Sequence, residues 1–235
     1  MFDIPRNSIV PVSDIEVRLE PGQHPFEATN AEAIEANWQR EVAANAALFD
    51  GTIVLLAGLA YAGGRLTGRC HAVRYATLLY WRRSRPQGAE HAFAHAALVS
   101  SDGALVAIRM AAHTANPGRI YFAAGSFEPF DFRDGLVDVE ANMAREVGEE
   151  TGLDISATPH DPSYHLYSRN SATVIFRRCY LDETAEQIAA RIAAFVASEE
   201  QSEIDGAVVI RSPDDFPDGA MPYMRAIVDW HFGGN

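Results

Sequence analysis

Between residues 144 and 155 the chain reads AREVGEETGLDI, and within it Glu146, Glu149 and Glu150 stand three and four positions apart. Residues so spaced share a helix face, so three carboxylates are gathered where they repel one another. Gly152 is a helix stop signal, which puts the cluster in the last turns. There the negative end of the macrodipole disfavours each anion by about 0.3–1 kcal/mol. Stability alone would favour arginine or lysine in these places. Hard oxygen donors gathered at such a cost anticipate a cation. They suit Mg²⁺ or Mn²⁺, which bind through a few carboxylates and keep waters for substrate phosphates.

The elements that must hold this cluster are visible around it. Asp138 is placed to cap a helix from about Val139 to Thr151, with Ala141, Met143, Ala144 and Val147 available for packing. Upstream, AFAHAALVSSDGALVAIRMA alternates about an Asp102-Gly103 turn as a hairpin, and RIYFAAGSFEP continues as a strand ending in a loop. Downstream follow a strand region HLYSRNSATVIFRRCYL, an amphipathic helix ETAEQIAARIAAFVASEE, a strand GAVVIRS and a closing helix MPYMRAIVDWHF. Nearer the start, SIVPVSDIEVRLEPG reads as an edge strand interrupted by Pro11, and NAEAIEANWQREVAANAALFDG as a helix closed by Gly51. TIVLLAGLAYAGGRLTGRCHAVRYATLLYW predicts strands about Gly63-Gly64, its last part compatible with strand or helix. RRSRPQGAEH, with Pro86 and Gly88, divides the chain into a lead-in over 1–88 and a second domain over 89–235. Strands and helices are mixed rather than alternating, which predicts an α+β class.

Composition narrows the function. With 235 residues, 48% of them hydrophobic, the chain can bury a sizeable core. A formal charge of -13 argues against a partner such as nucleic acid, whose backbone needs a basic face. The longest apolar runs are too short to span a membrane, and the start of the chain lacks the pattern of a signal peptide. Two cysteines, Cys70 and Cys179, without CxxC spacing, predict a reduced, cytoplasmic setting. None of the eight histidines makes an HExxH spacing and no serine lies in a GxSxG elbow, so neither zinc nor Ser-His-Asp chemistry has local support.

The segment from Arg145 to Leu153 resembles the second half of the Nudix hydrolase box, G-x5-E-x7-R-E-U-x-E-E-x-G-U, with U a bulky aliphatic. Arg145, Glu146, Val147, Glu149, Glu150, Gly152 and Leu153 fill all its specified positions, and the resemblance covers roughly residues 90 to 235. The first half departs from it: counting back, Val137 occupies the place of the isolated glutamate and Asp131 that of the glycine. Aligned on the strand instead, Gly125 and Glu128 begin the usual loop, and PFDFRD is an extension before the helix.

The resemblance implies a Nudix-like α/β/α sandwich with a mixed sheet. It also implies a metal-dependent pyrophosphohydrolase that cleaves a small-molecule nucleoside diphosphate linked to another moiety, such as a nucleotide sugar or an ADP-ribose-like compound. Glu146, Glu149 and Glu150 would bind Mg²⁺ or Mn²⁺, Arg145 would orient a glutamate, and water would attack phosphorus. A glutamate beyond the box serves as base in several members; Glu199, Glu200 and Glu203 are available, and Glu203, nearest the strand, is favoured. Arg109, His113 and Arg119 flank the expected pocket edge, with Arg109 and Arg119 suited to phosphate. Glu128, Asp134, Asp138 and Glu140 are candidates to take over the support lost at Val137; Glu128 is favoured, on the substrate side, because it follows the strand and should be held more tightly than Asp131 or Asp134. Lead-in strands of such proteins often exchange between subunits, which implies a homodimer. The alternative is a Nudix-fold binding or regulatory module with little hydrolysis, favoured by Val137 and the long loop.

Overall fold

The computed structural model describes residues 1–234. The chain begins with β1 (Phe2–Asp3), β2 (Ile9–Val12), β3 (Asp14–Leu19), α1 (Pro25–Thr29) and α2 (Ala31–Ala44), followed by β4 (Thr52–Ala62), β5 (Arg65–Arg74) and α3 (Tyr75–Ser84). Next come β6 (His91–Val99), β7 (Leu105–Met110), β8 (Ile120–Tyr121), β9 (Phe132–Arg133), β10 (Leu136–Val137) and α4 (Val139–Thr151). The remainder is β11 (Tyr164–Arg169), β12 (Ala172–Tyr180), α5 (Ala185–Ser198), β13 (Ile204–Ile210) and α6 (Met224–Phe232). Parallel pairing of β3 with β5 beside antiparallel pairing of β4 with β5 makes the sheet they share a mixed one, and with the helices the fold is of the α+β class. No helix among the described residues is long and apolar enough to cross a membrane.

Two compact units emerge, and they do not follow the linear division at residue 88. One comprises Met1–Phe93, Ser126–Val139 and Leu166–Val174; the other comprises Ala94–Gly125, Glu140–His165 and the chain from Ile175. The first unit includes Ser126–Val139 because its six-stranded sheet, β1-β4-β5-β3-β10-β9, takes β9 and β10 from that stretch. Gly63 and Gly64, with φ of 57° and 86°, make the tight turn between β4 and β5 that the sequence predicts. The segment left open between strand and helix divides at Tyr75, where α3 begins. Its Leu78 and Trp81 are buried against Phe26, Ile53, Leu55 and Val73, and the Trp81 indole donates to the Ala89 carbonyl at 2.9 Å. The expected edge strand is two strands instead. β2 keeps Pro11 at a sheet edge, whereas β3 lies between β5 and β10.

The loop extension is also ordered differently from expectation. β9 and β10 form a hairpin about Asp134 and Gly135, whose φ of 51° and 78° fit a two-residue turn with both central residues left-handed. Val137 pairs with Phe132, and Leu136 pairs with both Arg133 and Arg18 of β3, so the extension completes the first unit's sheet.

In the second unit β7 is central. It pairs with β13 from Ile210–Leu105 to Ile204–Met110, with β6 at Leu98–Val106, and with β8 at Arg109–Ile120. α5 packs over β13 and β7 through the fully buried Ile188 and Ile192. Its start is fixed by Thr184, whose side chain and that of Gln187 cap one another's backbone N–H groups.

Candidate active site

Helix α4 has two buried stripes. Met143 and Val147 supply the apolar one. Asn142, Glu146 and Glu150, four residues apart, form a polar one, each less than 9% exposed. Burying two carboxylates of one stripe is costly unless each has partners. The helix ends where expected: Gly152 has φ +69° and its N–H donates to the Gly148 carbonyl at 3.0 Å. A Cβ there would come within 2.6 Å of Phe195 Cγ, so glycine is required both for conformation and for space.

The irregular segment that follows β8, residues 122–125, supplies the seat. The Ala124 N–H donates to Glu150 Oε2 at 2.9 Å. Glu146 lies against Gly125 so closely that a Cβ at that glycine would be 2.5 Å from Oε2 and nearer still to Oε1. Arg145 bridges outward, with Nη2 at 2.7 Å from Glu146 Oε1 and Nη1 at 2.9 Å from Glu149 Oε2. Burial, then the charge of Glu146, pushes the Glu150 carboxyl well above its ordinary range; Glu203 and Glu149 add to this while the Ala124 N–H opposes it.

The three glutamates are therefore not equivalent. At about 100° per residue, Glu150 lies about 40° round the helix from Glu146 and Glu149 about 60° the other way. Glu149 is accordingly turned outward onto Arg145, its side chain 60% exposed. Among the described residues no three His, Cys, Asp or Glu groups are already assembled to hold a metal ion. The donor chemistry fits one nevertheless: two seated carboxylates, one of them strongly opposed to ionising, with a third on an exposed side chain one turn away.

Long-range pairing adds the remaining residues. Ala111 N–H donates to the Glu203 carbonyl at 2.9 Å, so Glu203 is fixed at the open end of β7 just before β13, and its charge reaches Glu150. Arg109 pairs across with Ile120 and with Gly206, and Met110 N–H donates to the Arg119 carbonyl at 2.9 Å. Arg109, Arg119 and Glu203 thus share one end of the β8-β7-β13 ladder. Both arginines are exposed, and among the described residues no hydrogen bond or ion pair of the second unit engages their side chains. His113 is exposed in the loop between them.

Glu128 belongs to the first unit, and there the expected order of rigidity is reversed. Asp131 is the tightly held acid, 3% exposed, accepting the Glu128 N–H at 2.8 Å through Oδ2 and the Asp138 N–H at 2.7 Å through its carbonyl. It closes a single 3₁₀ turn, Pro129–Asp131, that Glu128 opens. Asp134 is exposed at the hairpin tip. Reasoning from sequence missed the Ala124 amide and the space above Gly125, since a backbone donor carries no residue signature; the small residues of AAGS are the sole trace.

No family model matches the chain, and no curated protein matches it in sequence. Solved structures to which it is similar include DR0079 from Deinococcus radiodurans, at 16% identity, 60% coverage of this chain, 83% of that chain and a TM-score of 0.44. The MutT protein from Methanosarcina mazei Go1 shares 14% identity over 60% of this chain and 91% of its own, with a TM-score of 0.38. The E. coli ORF135 protein shares 15% identity over 61% of this chain and 90% of its own, with a TM-score of 0.35.

Proposed function

We propose that the chain is a metal-dependent pyrophosphohydrolase of the Nudix type, acting on a nucleoside diphosphate linked to another moiety, as in a nucleotide sugar or an ADP-ribose-like compound. The observation that carries this reading is the buried pair Glu146 and Glu150, seated on residues 124–125 and surrounded by further carboxylates that oppose Glu150's ionisation. Arg145 meets Glu146 and Glu149, while at Glu150 the charges of Glu146, Glu203 and Glu149 all oppose ionisation, which a bound cation would relieve.

Glu146, Glu149 and Glu150 would hold Mg²⁺ or Mn²⁺. A divalent ion bound there supplies charge neutralisation for the diphosphate and lowers the pKa of an attacking water. Arg145 holds Glu146 and Glu149 in register until the site fills. Glu203, exposed and fixed by its backbone, accepts the proton as the water oxygen bonds to phosphorus and the bridging P–O bond breaks. Arg109 and Arg119 bind the substrate's phosphate oxygens, for which a planar guanidinium is suited.

A panel of nucleoside diphosphate compounds with Mg²⁺ or Mn²⁺, read by product identification, tests the proposal. Two phosphorylated products and loss of turnover in Glu150→Gln are expected. Tight binding without cleavage by the parent would instead assign a ligand-binding module, the alternative favoured by Val137 standing in β10 where the box has glutamate.

A further inference from the structure

Within the second unit, one fully buried side chain lies behind the seat of the carboxylates. His95 on β6 is 0% exposed, with Nδ1 2.8 Å from the Phe122 carbonyl oxygen and Nε2 3.1 Å from the Tyr223 hydroxyl. A carbonyl only accepts, so Nδ1 carries the ring hydrogen; Nε2 then accepts from the tyrosine O–H, and one tautomer is fixed. Burial pushes the imidazole down to about 3, against the opposing pull of the Phe122 and Ala123 backbone, so the ring is neutral at working pH. Its rings of contact, Tyr121, Phe122 and Tyr223, confine it further.

Both ends of this chain of hydrogen bonds are anchored. Tyr223 follows a segment laid along Ile120, where Ile120 N–H donates to Gly219 O at 3.2 Å and Met221 N–H donates to Ile120 O at 2.9 Å. Tyr223 then leads into α6, whose first residue, Met224, is fully buried. At the other end, Phe122 is two residues before Ala124, whose N–H holds Glu150, and three before Gly125, against which Glu146 lies. Beyond Tyr121 the strand pairing of β8 with β7 has ended, so the course of residues 122–125 is not set by that ladder.

We propose that His95 and Tyr223 are positioning residues that fix residues 122–125, and through them the seat of Glu146 and Glu150. The device acts on a backbone amide and touches no substrate, so its effect on turnover rests on the function proposed above, whereas its effect on Ala124 does not.

The test uses the full chain, ¹⁵N-labelled, as parent, His95→Leu, His95→Asn and Tyr223→Phe. Exchange of the Ala124 amide hydrogen is compared with that of Ile188 and Ile192 in α5, Mn²⁺ affinity is measured by electron paramagnetic resonance, and kcat and KM are taken on any substrate the parent cleaves. In His95→Leu and Tyr223→Phe, Ala124 exchange should accelerate about 10-fold or more while the α5 amides hold their rates. Mn²⁺ affinity should drop about 10-fold, the size of effect that outer partners of metal ligands commonly have, and kcat should fall with KM retained. His95→Asn, which keeps a donor near the Nδ1 position, should restore most of each. Unchanged Ala124 exchange in folded Tyr223→Phe and His95→Leu would overturn the proposal, as would equal acceleration of the Ala124 and α5 amides. Should His95→Leu fail to fold, the milder Tyr223→Phe decides. A parent that binds no Mn²⁺ would refute the proposed function alone, because the Ala124 comparison still stands.

Discussion

Gly125→Ala isolates the contact on which the site is built. The added Cβ would lie 2.5 Å from Glu146 Oε2, against ordinary contact beginning near 3.4 Å, so the carboxylate or the strand must yield by about 1 Å. Glu146 is 8% exposed and tied to Arg145 at 2.7 Å, so it has little room to retreat. Overpacking of this kind costs about 1–3 kcal/mol. In a chain of this length that corresponds to a fall in Tm of about 2–12 °C. If Glu146 belongs to the reactive centre, a displacement of about 1 Å lowers kcat by about 100-fold. A double-mutant cycle with Glu146→Ala removes ambiguity about fold damage. With the carboxylate gone, the three atoms nearest the added Cβ are gone too, and Gly125→Ala should cost much less in stability. Thermal and urea unfolding of the four proteins give the coupling energy, expected to exceed about 1 kcal/mol for residues in contact. Additivity within about 0.5 kcal/mol would refute the reasoning, because it would mean that the Glu146 carboxylate does not rest over this glycine.

Further outcomes follow from the same geometry. Glu149→Gln and Glu150→Gln should each lose most turnover, at least about 100-fold in kcat, with the fold retained by circular dichroism. Their stabilities should differ with pH in a defined sense. The folded state raises the Glu150 carboxyl above its usual 4.5, so its contribution is complete below that value and is lost as pH rises through the raised one. Metal-free Glu150→Gln should therefore match the parent near pH 4 and melt progressively higher than it as pH rises to 8, a gap that saturating Mn²⁺ closes. Arg109→Ala and Arg119→Ala should raise KM several-fold and leave Tm within about 1 °C, since both are exposed; an unchanged KM in the double variant would remove them from the site. Asp131→Asn should lower Tm more than Glu128→Gln, because Asp131 is the buried member of the turn, and equal melting temperatures would contradict that assignment.

The sequence is most legible where a local period and a stop signal coincide. The helix from Val139 to Thr151, its end at Gly152 and the Asp102-Gly103 hairpin all follow from spacing and turn chemistry within a few residues. Helical spacing alone is a coarser guide to convergence. It puts Glu146, Glu149 and Glu150 on one face, but the face is about 100° wide, and burial selects the Glu146–Glu150 edge while Arg145 draws Glu149 to the rim. α3 is undecided in sequence because Tyr75–Trp81 is rich in aromatic and apolar residues suited to either state; the buried seat for Leu78 and Trp81 beside Phe26 decides it.

The extension before α4 shows a different kind of loss. FRDGLV carries a legible hairpin signal, Asp134-Gly135 flanked by Phe132 and Val137, yet judged as an insertion in a motif it reads as slack chain. Its strands make sense only once β3, over a hundred residues earlier in the chain, offers Arg18 as a partner for Leu136. A residue in such a strand answers to the ladder's alternation first, which is why valine is at home at position 137 whatever the motif would place there. The converse holds at the carboxylates. Nothing in their local pattern reveals that an alanine amide holds Glu150 or that an absent Cβ makes room for Glu146, because both contributions come from the backbone of a segment distant in sequence. Side chains that carry charge can be read from composition and spacing, whereas the backbone groups that aim them become visible only through the fold.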